Sequence, residues 1–322
     1  MAHAPAAVVA VAVAAVAAKE SGKRMRRSIA RLLYALLLLL GALAAVPAHA
    51  QQAFASAEAA ADAFTGALRK VDRAALAKVL GANYKQFIKT DGVERADIEA
   101  YLAAWDKQHK INTEGDKAVV AVGDQGWTLP IPIVKRKAGW QFDVVAGADE
   151  MRTRRIGRNE LTTMQAILAY YDAQREYSAV DHNGDGVYEY ARKMVSTKGK
   201  KDGLYWDSPL GLEQSPLGPL LAKEQPKSGA GYYGYHYKIL SGQGKDAPGG
   251  AYDYIIGKRM RSGFAAVAWP VRYGDTGVMT FMVSHAGIVY EKDLGPDSAA
   301  VASAMTRFNP DASWKKSQVP TK

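Results

Sequence analysis

RRIGRNELTTMQAILAYYDAQREYSAV, residues 154–180, carries the reading on which the fold turns. Leu161, Met164, Leu168, Tyr171 and Arg175 fall at i, i+3, i+7, i+10 and i+14, with Ile167 and Tyr177 beside them. That spacing predicts one long amphipathic helix, Arg154 to Val180, whose apolar stripe requires a second layer to cover it. The layer is supplied downstream by strand-like runs at Tyr235–Leu240, Tyr252–Ile256, Phe264–Trp269, Val278–Ser284 and Ile288–Lys292. Gly249-Gly250, Gly257 and Ala286-Gly287 punctuate them as turns. A last helix is expected from about Ser298 to Phe308. Lys198 to Gly234, rich in Gly, Pro and Lys, reads as a long irregular loop of the kind that carries function.

Upstream, residues 51–150 run helices first and strands second. Ser56 caps a helix bearing Ala60, Phe64, Ala67 and Leu68, Ala74–Leu80 makes a short one, and Asp97–His109 a third with Ile98, Tyr101, Leu102 and Trp105 on one side. Strands follow at Ala118–Val122, Trp127–Lys135 and Trp140–Val145. Pro130 and Pro132 cannot donate to a ladder, so the middle one is expected at an edge or bulged. The fold class is therefore α+β, with a small helix-then-antiparallel-sheet domain at 51–150 and a long helix on an antiparallel sheet at 151–322. The first domain has the layout of cone-shaped nuclear-transport-factor-like domains.

Residues 1–50 differ from the rest. Lys23, Arg24, Arg26, Arg27 and Arg31 make a basic n-region, Leu32–Ala45 an apolar h-region, and Ala48-His49-Ala50 an A-x-A cleavage site. They are expected to form a signal peptide for general secretion, with Met25 an alternative start. Removing six Lys/Arg and one Glu lowers the formal net charge from +10 to +5 over the remaining 272 residues. The best basic cluster, Lys198-Gly199-Lys200-Lys201, is short and reads as a solvated turn, so a nucleic-acid partner is not expected. There is no cysteine, hence neither disulfide nor lipid attachment. No later segment reaches the roughly 18 apolar residues of a membrane helix, so no stable membrane insertion is expected after cleavage. The expected location is the periplasm or outside the cell.

The stretch Asp181-His182-Asn183-Gly184-Asp185-Gly186-Val187-Tyr188-Glu189 sets oxygen-bearing groups two apart around a glycine, as a calcium loop does. Asp181, Asn183, Asp185, the Val187 carbonyl and Glu189 are the expected ligands. Position 12 is Arg192 and the bidentate glutamate is missing, which excludes a standard EF-hand and leaves a shortened loop. Hard oxygen donors favour Ca2+; the same residues also make a metal-free turn.

Tyr205 and Trp206, flanked by Asp202 and Asp207, form the other candidate site. Rings there suit a sugar, and a carboxylate pair suits glycoside hydrolysis at the right separation. For the neighbouring Tyr232, Tyr233, Tyr235 and Tyr237, alternation favours plain strand packing. His109, His182, His236 and His285 are isolated, and no HExxH, G-x-S-x-G or Walker pattern is present, so no catalytic residue is assigned.

Residues 155–161 (RIGRNEL), 170–177 (YYDAQREY), 202–206 (DGLYW), 215–220 (SPLGPL), 248–254 (PGGAYDY) and 273–281 (YGDTGVMTF) together resemble the bacterial family called domain of unknown function 2950. The resemblance implies an exported protein and no assigned reaction. More loosely, the long helix, irregular loop and Gly-Tyr-x-Tyr strands resemble the globular heads of pseudopilins and pilins, some of which hold calcium. A cleavable signal and a separate domain stand where pilins keep a hydrophobic helix. The function expected is a non-catalytic, calcium-stabilised module that binds an envelope component or a protein partner. The alternatives are an envelope hydrolase acting on glycan or peptide, with Asp202, Asp207 or Glu189 taking part, and an accessory of a secretion or pilus system.

Overall fold

The computed structural model describes residues 51–88, 94–208, 213–218 and 231–318. The expected signal segment lies outside them. The chain divides into two compact units, 1–144 and 145–322.

In the first unit, Ser56 caps α1 (Ala57–Arg69) by accepting the Ala59 N–H at 3.1 Å. Asp72 does the same for α2 (Arg73–Leu80) through Ala74 and Ala75. A single turn, α3 (Tyr84–Phe87), precedes α4 (Arg95–Lys107), where the Asp97 carboxylate accepts the Glu94 N–H at 2.9 Å. Sequence alone carries that last helix on to His109. It stops at Lys107 because the chain turns extended and pairs as β1 (His109–Glu114) with β2 (Lys117–Val122). β1 was not foreseen: it is an edge strand exposed at almost every residue and shows no alternation.

The expected strand Trp127–Lys135 is cut in two, β3 (Trp127–Thr128) and β4 (Ile133–Arg136), with both prolines in the gap. β5 (Gly139–Phe142) closes an antiparallel sheet ordered β1-β2-β4-β5, β3 pairing with β2. Ala60, Ala61, Phe64, Val120, Ile133 and Phe142 are buried in this unit.

The long helix is α5 (Val144–Tyr177), which begins ten residues earlier than the sequence pattern suggests. Its first turns show no apolar stripe and are laced instead by the Glu150–Arg154 pair at i, i+4. The buried face is rotated from the expected stripe. Thr163, Met164, Ala166, Ile167, Tyr170, Ala173, Gln174 and Tyr177 are covered, whereas Leu161 is 45% exposed and Arg175 is exposed. Gln174 is buried because its side chain closes a ring of bonds. Its Nε2 donates to the Ala191 carbonyl at 2.8 Å and to the Tyr170 hydroxyl at 3.1 Å, and its Oε1 accepts the Ala191 N–H at 2.8 Å.

The main sheet of the second unit runs β15-β13-β12-β11-β6, antiparallel throughout. β6 is Tyr235–Leu240, β11 Ala265–Pro270, β12 Met279–Ser284, β13 Val289–Asp293 and β15 Lys315–Lys316. Every residue of β11 is buried, so both its faces are covered. α6 (Ser298–Ala304) packs against it, and the Tyr170 hydroxyl of α5 donates to its Ala265 carbonyl at 3.1 Å. The expected run Tyr252–Ile256 does not join this sheet. It splits into β8 (Tyr252–Asp253), paired with β7 (Gly242–Gln243) and β14 (Arg307–Phe308) in a three-stranded sheet, and β9 (Ile255–Ile256), paired with β10 (Arg259–Met260). β14 takes up the end of the expected last helix.

Near the front of α5, the 155–161 and 273–281 motifs meet. Arg155 pairs with Asp275, Asn159 Nδ2 donates to the Thr276 carbonyl at 2.9 Å, and Glu160 Oε1 accepts the Val278 and Met279 N–H groups at 2.8 and 3.0 Å. Both motifs thus serve to seat the helix on the turn that starts β12.

Candidate functional site

Past the end of α5, the Asp181 loop is wound by its own side chains. The Asp181 carboxylate accepts the N–H groups of Asn183 (3.3 Å), Gly184 (2.9 Å) and Gly186 (2.7 Å), which holds it below the usual carboxylate range. Gly184 and Gly186 sit at φ 73° and 79°, a conformation costly for other residues. Asn183 Oδ1 accepts the Asp185 N–H at 3.2 Å. Asp185 Oδ1 accepts the Val187 N–H at 3.0 Å and an Arg259 Nη1 hydrogen at 2.9 Å, while Arg259 Nη2 grips the other oxygen. That guanidinium, from β10, depresses the Asp185 carboxyl first and most.

The remaining loop ligands expected from sequence, Asn183, Val187 and Glu189, line a cleft of about 410 Å³ together with Tyr177, His182 and Asp202. Among the described residues, no three His, Asp or Glu side chains converge as a metal set. The oxygen donors of the loop are of the kind calcium takes, and Asp185 is the one already shared with a cation.

Asp202, expected as a ligand or acid, holds the next loop together. It accepts Lys193 Nζ at 2.7 Å, the Thr197 N–H at 2.7 Å and the Thr197 hydroxyl at 2.9 Å. Lys193 is the first cause that brings its carboxyl down to about 2. The start of the segment expected to be irregular, Lys198 to Tyr205, doubles back on the residues before it in a narrow loop: Leu204 N–H donates to Lys193 O, Tyr205 N–H to Met194 O and Ser196 N–H to Tyr205 O. Gly203 permits the close approach, since a Cβ there would lie 2.8 Å from the Ser196 nitrogen.

On the far side of that loop, Tyr205, Trp206, Asp207 and Glu213 line a larger cleft of about 740 Å³ with Lys198 and Lys200; Gly199, Lys200 and Lys201 border both clefts. The Tyr205 hydroxyl donates to Asp207 at 2.8 Å. Three of the four sequence-chosen residues therefore line one cleft and Asp202 lines the other. Trp206 is only 9% exposed and its Nε1 is buried with no hydrogen-bond partner among the described residues.

Four residues that the sequence reading assigned to no site form the wall between the clefts. His182 stacks on Tyr177 with ring centroids 4.0 Å apart, meets Trp206 edge-on at 5.6 Å, and lies 4.0 Å from Glu213. Lys201 pairs with Glu213 and lies over the Trp206 ring. The Tyr177 hydroxyl donates to the Lys201 carbonyl at 2.8 Å and is pushed up to about 12, by burial first and then by the charges of Glu189 and Asp202. No spacing signals this cluster, because its members come from a helix end and three separate turns.

Of the other aromatics, Tyr235 and Tyr237 pack with the core. Tyr235 is fully buried with its hydroxyl on the Met279 carbonyl, and the Tyr237 hydroxyl reaches Thr163. His285 Nε2 lies 3.2 Å from the Tyr252 hydroxyl at the end of β12.

A family model described as "Protein of unknown function (DUF2950)" matches residues 51–317. No curated protein and no solved structure matches the chain.

Proposed function

This chain belongs to the DUF2950 family of proteins of unknown function, and from that premise we propose that it is an exported, non-catalytic module that binds an envelope component through the clefts lined by residues 193–208 and Glu213. Export is supported by the basic, apolar, small-residue order of the first 50 residues and by a family match that starts at the residue after the A-x-A site. No helix among the described residues is long and apolar enough to cross a membrane.

The observation that carries the binding reading is the pair of clefts either side of Gly199–Lys201, one faced by Tyr205 and Trp206, built on a loop whose carboxylates are already engaged. A carboxyl held near 2 stays ionised at neutral pH and has no proton to donate, so Asp202 does not suit the acid of a glycosidase. The accessory role in a secretion or pilus system has only the layout of a helix on a sheet behind it. Calcium in the Asp181 loop is part of the proposal. Asp181, Asn183, Asp185, the Val187 carbonyl and Glu189 would hold it, with Arg259 giving up or sharing Asp185, and the ion would fix that wall of the smaller cleft.

Incubation of the mature protein with peptidoglycan fragments and a glycoside panel tests the reading. Retention of a fragment without turnover is the expected outcome, and release of a cleaved product would replace it with the hydrolase reading.

A further inference from the structure

The larger cleft carries an inference about what it prefers, and this rests on the binding reading above. Its volume, about 740 Å³, is within the range that holds a small ligand. Three lysines border it and two acids face them. Glu213 is paired with Lys201, and Asp207 accepts the Tyr205 hydroxyl. Lys198 and Lys200 have no anionic partner among the described residues. They do not hang from a loose turn: the Lys200 N–H donates to the Thr197 carbonyl at 2.8 Å, and Thr197 is in turn fixed through its N–H and hydroxyl by Asp202.

In the wall of the same cleft stands Trp206, 9% exposed, with the Lys201 ammonium over its ring. Tyr205 adds a partly exposed ring to the same lining. Two spare ammonium groups and an aromatic face are the complement of a sugar bearing carboxylates: the cations meet the acid groups and the ring meets the apolar face of the saccharide. We infer that the cleft lined by Lys198, Lys200, Tyr205 and Glu213 binds an acidic oligosaccharide, with Lys198 and Lys200 reading its carboxylates and the Tyr205 ring its apolar face.

Calorimetric titration of the full mature protein with trigalacturonate and with neutral maltotriose is the test. The acid should bind more tightly by about tenfold or more, the worth of one charge-assisted contact. Its advantage should shrink as salt rises, since the lysines are exposed. The double variant Lys198→Ala with Lys200→Ala, which touches no buried group, should abolish the preference while leaving the melting temperature in place. Equal affinity for the two sugars would overturn the charge preference while leaving the cleft a binding site. Binding of neither would overturn both, and a preference that survives the double lysine variant would overturn the assignment to this cleft.

Discussion

Near the front of α5, Arg155, Asn159 and Glu160 reach the Asp275–Met279 turn; just past its end, Asp181, Asp185 and Asp202 reach the backbone of their own loops. Both regions use polar side chains to hold main-chain groups, but the first does so in a half-buried seam between a helix and a sheet, the second on exposed loops. In the seam, Glu160 and Asn159 bond directly to the backbone of the turn they seat. On the loops the carboxylates are engaged in the same way, yet among the described residues Lys198 and Lys200 are left over. Completed polar contacts between distant segments hold a fold together, and uncompleted ones beside a cavity are where a ligand is admitted.

The largest expected effect lies in the seam. Glu160→Ala strips the acceptor from two N–H groups at the start of β12, and half-buried donors left unmet should lower stability by about 2–3 kcal/mol. Urea denaturation measures it. A change below about 0.5 kcal/mol, the size of an ordinary surface substitution, would erase the distinction between the two regions.

Next in size is the response of the Asp181 loop to calcium. If an ion joins Asp181, Asn183 and Asp185, added calcium raises the melting temperature, because anything that binds only the folded state stabilises it. Asp181→Ala with Asp185→Ala should remove that rise. Arg259→Ala should enlarge it, since Asp185 then loses the cation that engages it among the described residues. A melting temperature indifferent to calcium in both the wild type and Arg259→Ala would leave Arg259 as the loop's sole cation.

The helix-on-sheet core was legible because β6, β11 and β12 are rich in aromatic and apolar residues and are parted, with β13 after them, by glycine turns. The rotation of the buried face of α5 was not. Leu161 and Tyr171 are apolar but lie on its flank, while Thr163 and Gln174 are buried only because partners far along the chain accept and supply their hydrogen bonds. Residues 144–153 hid their helix because their covered positions are mostly small or polar and make no apolar stripe, and β1 hid its strand because it is exposed at almost every residue and has no alternation to read. In the site, the Asn-Gly and Asp-Gly turns could be read from their spacing, and the partner of Asp185 could not, being 74 residues away. Asp202 drew attention as a carboxylate beside Tyr205-Trp206, yet only its contacts with Lys193 and Thr197 reveal that it binds its own chain.

The smallest effect should come from that last residue, and it separates a loop held in place from a loop that merely rests. Asp202 is exposed enough that its ion pair with Lys193 contributes little to global stability, as surface pairs do. Its folded carboxyl titrates near 2, below the unfolded value of about 3.9. The unfolded chain therefore binds the proton first, and the tie, complete above about pH 4, is lost as pH falls through that window toward 2. Asp202→Asn should leave the urea midpoint nearly unchanged at neutral pH. It should also speed hydrogen exchange at the Thr197 amide, whose acceptor is weakened, and make that exchange insensitive to the same acid window. Because Thr197 anchors the turn that carries Lys198 and Lys200, a local loosening without global loss would place the order of the binding loop in this one carboxylate, whereas slow exchange in the variant would place it in the backbone ladder between Lys193 and Tyr205.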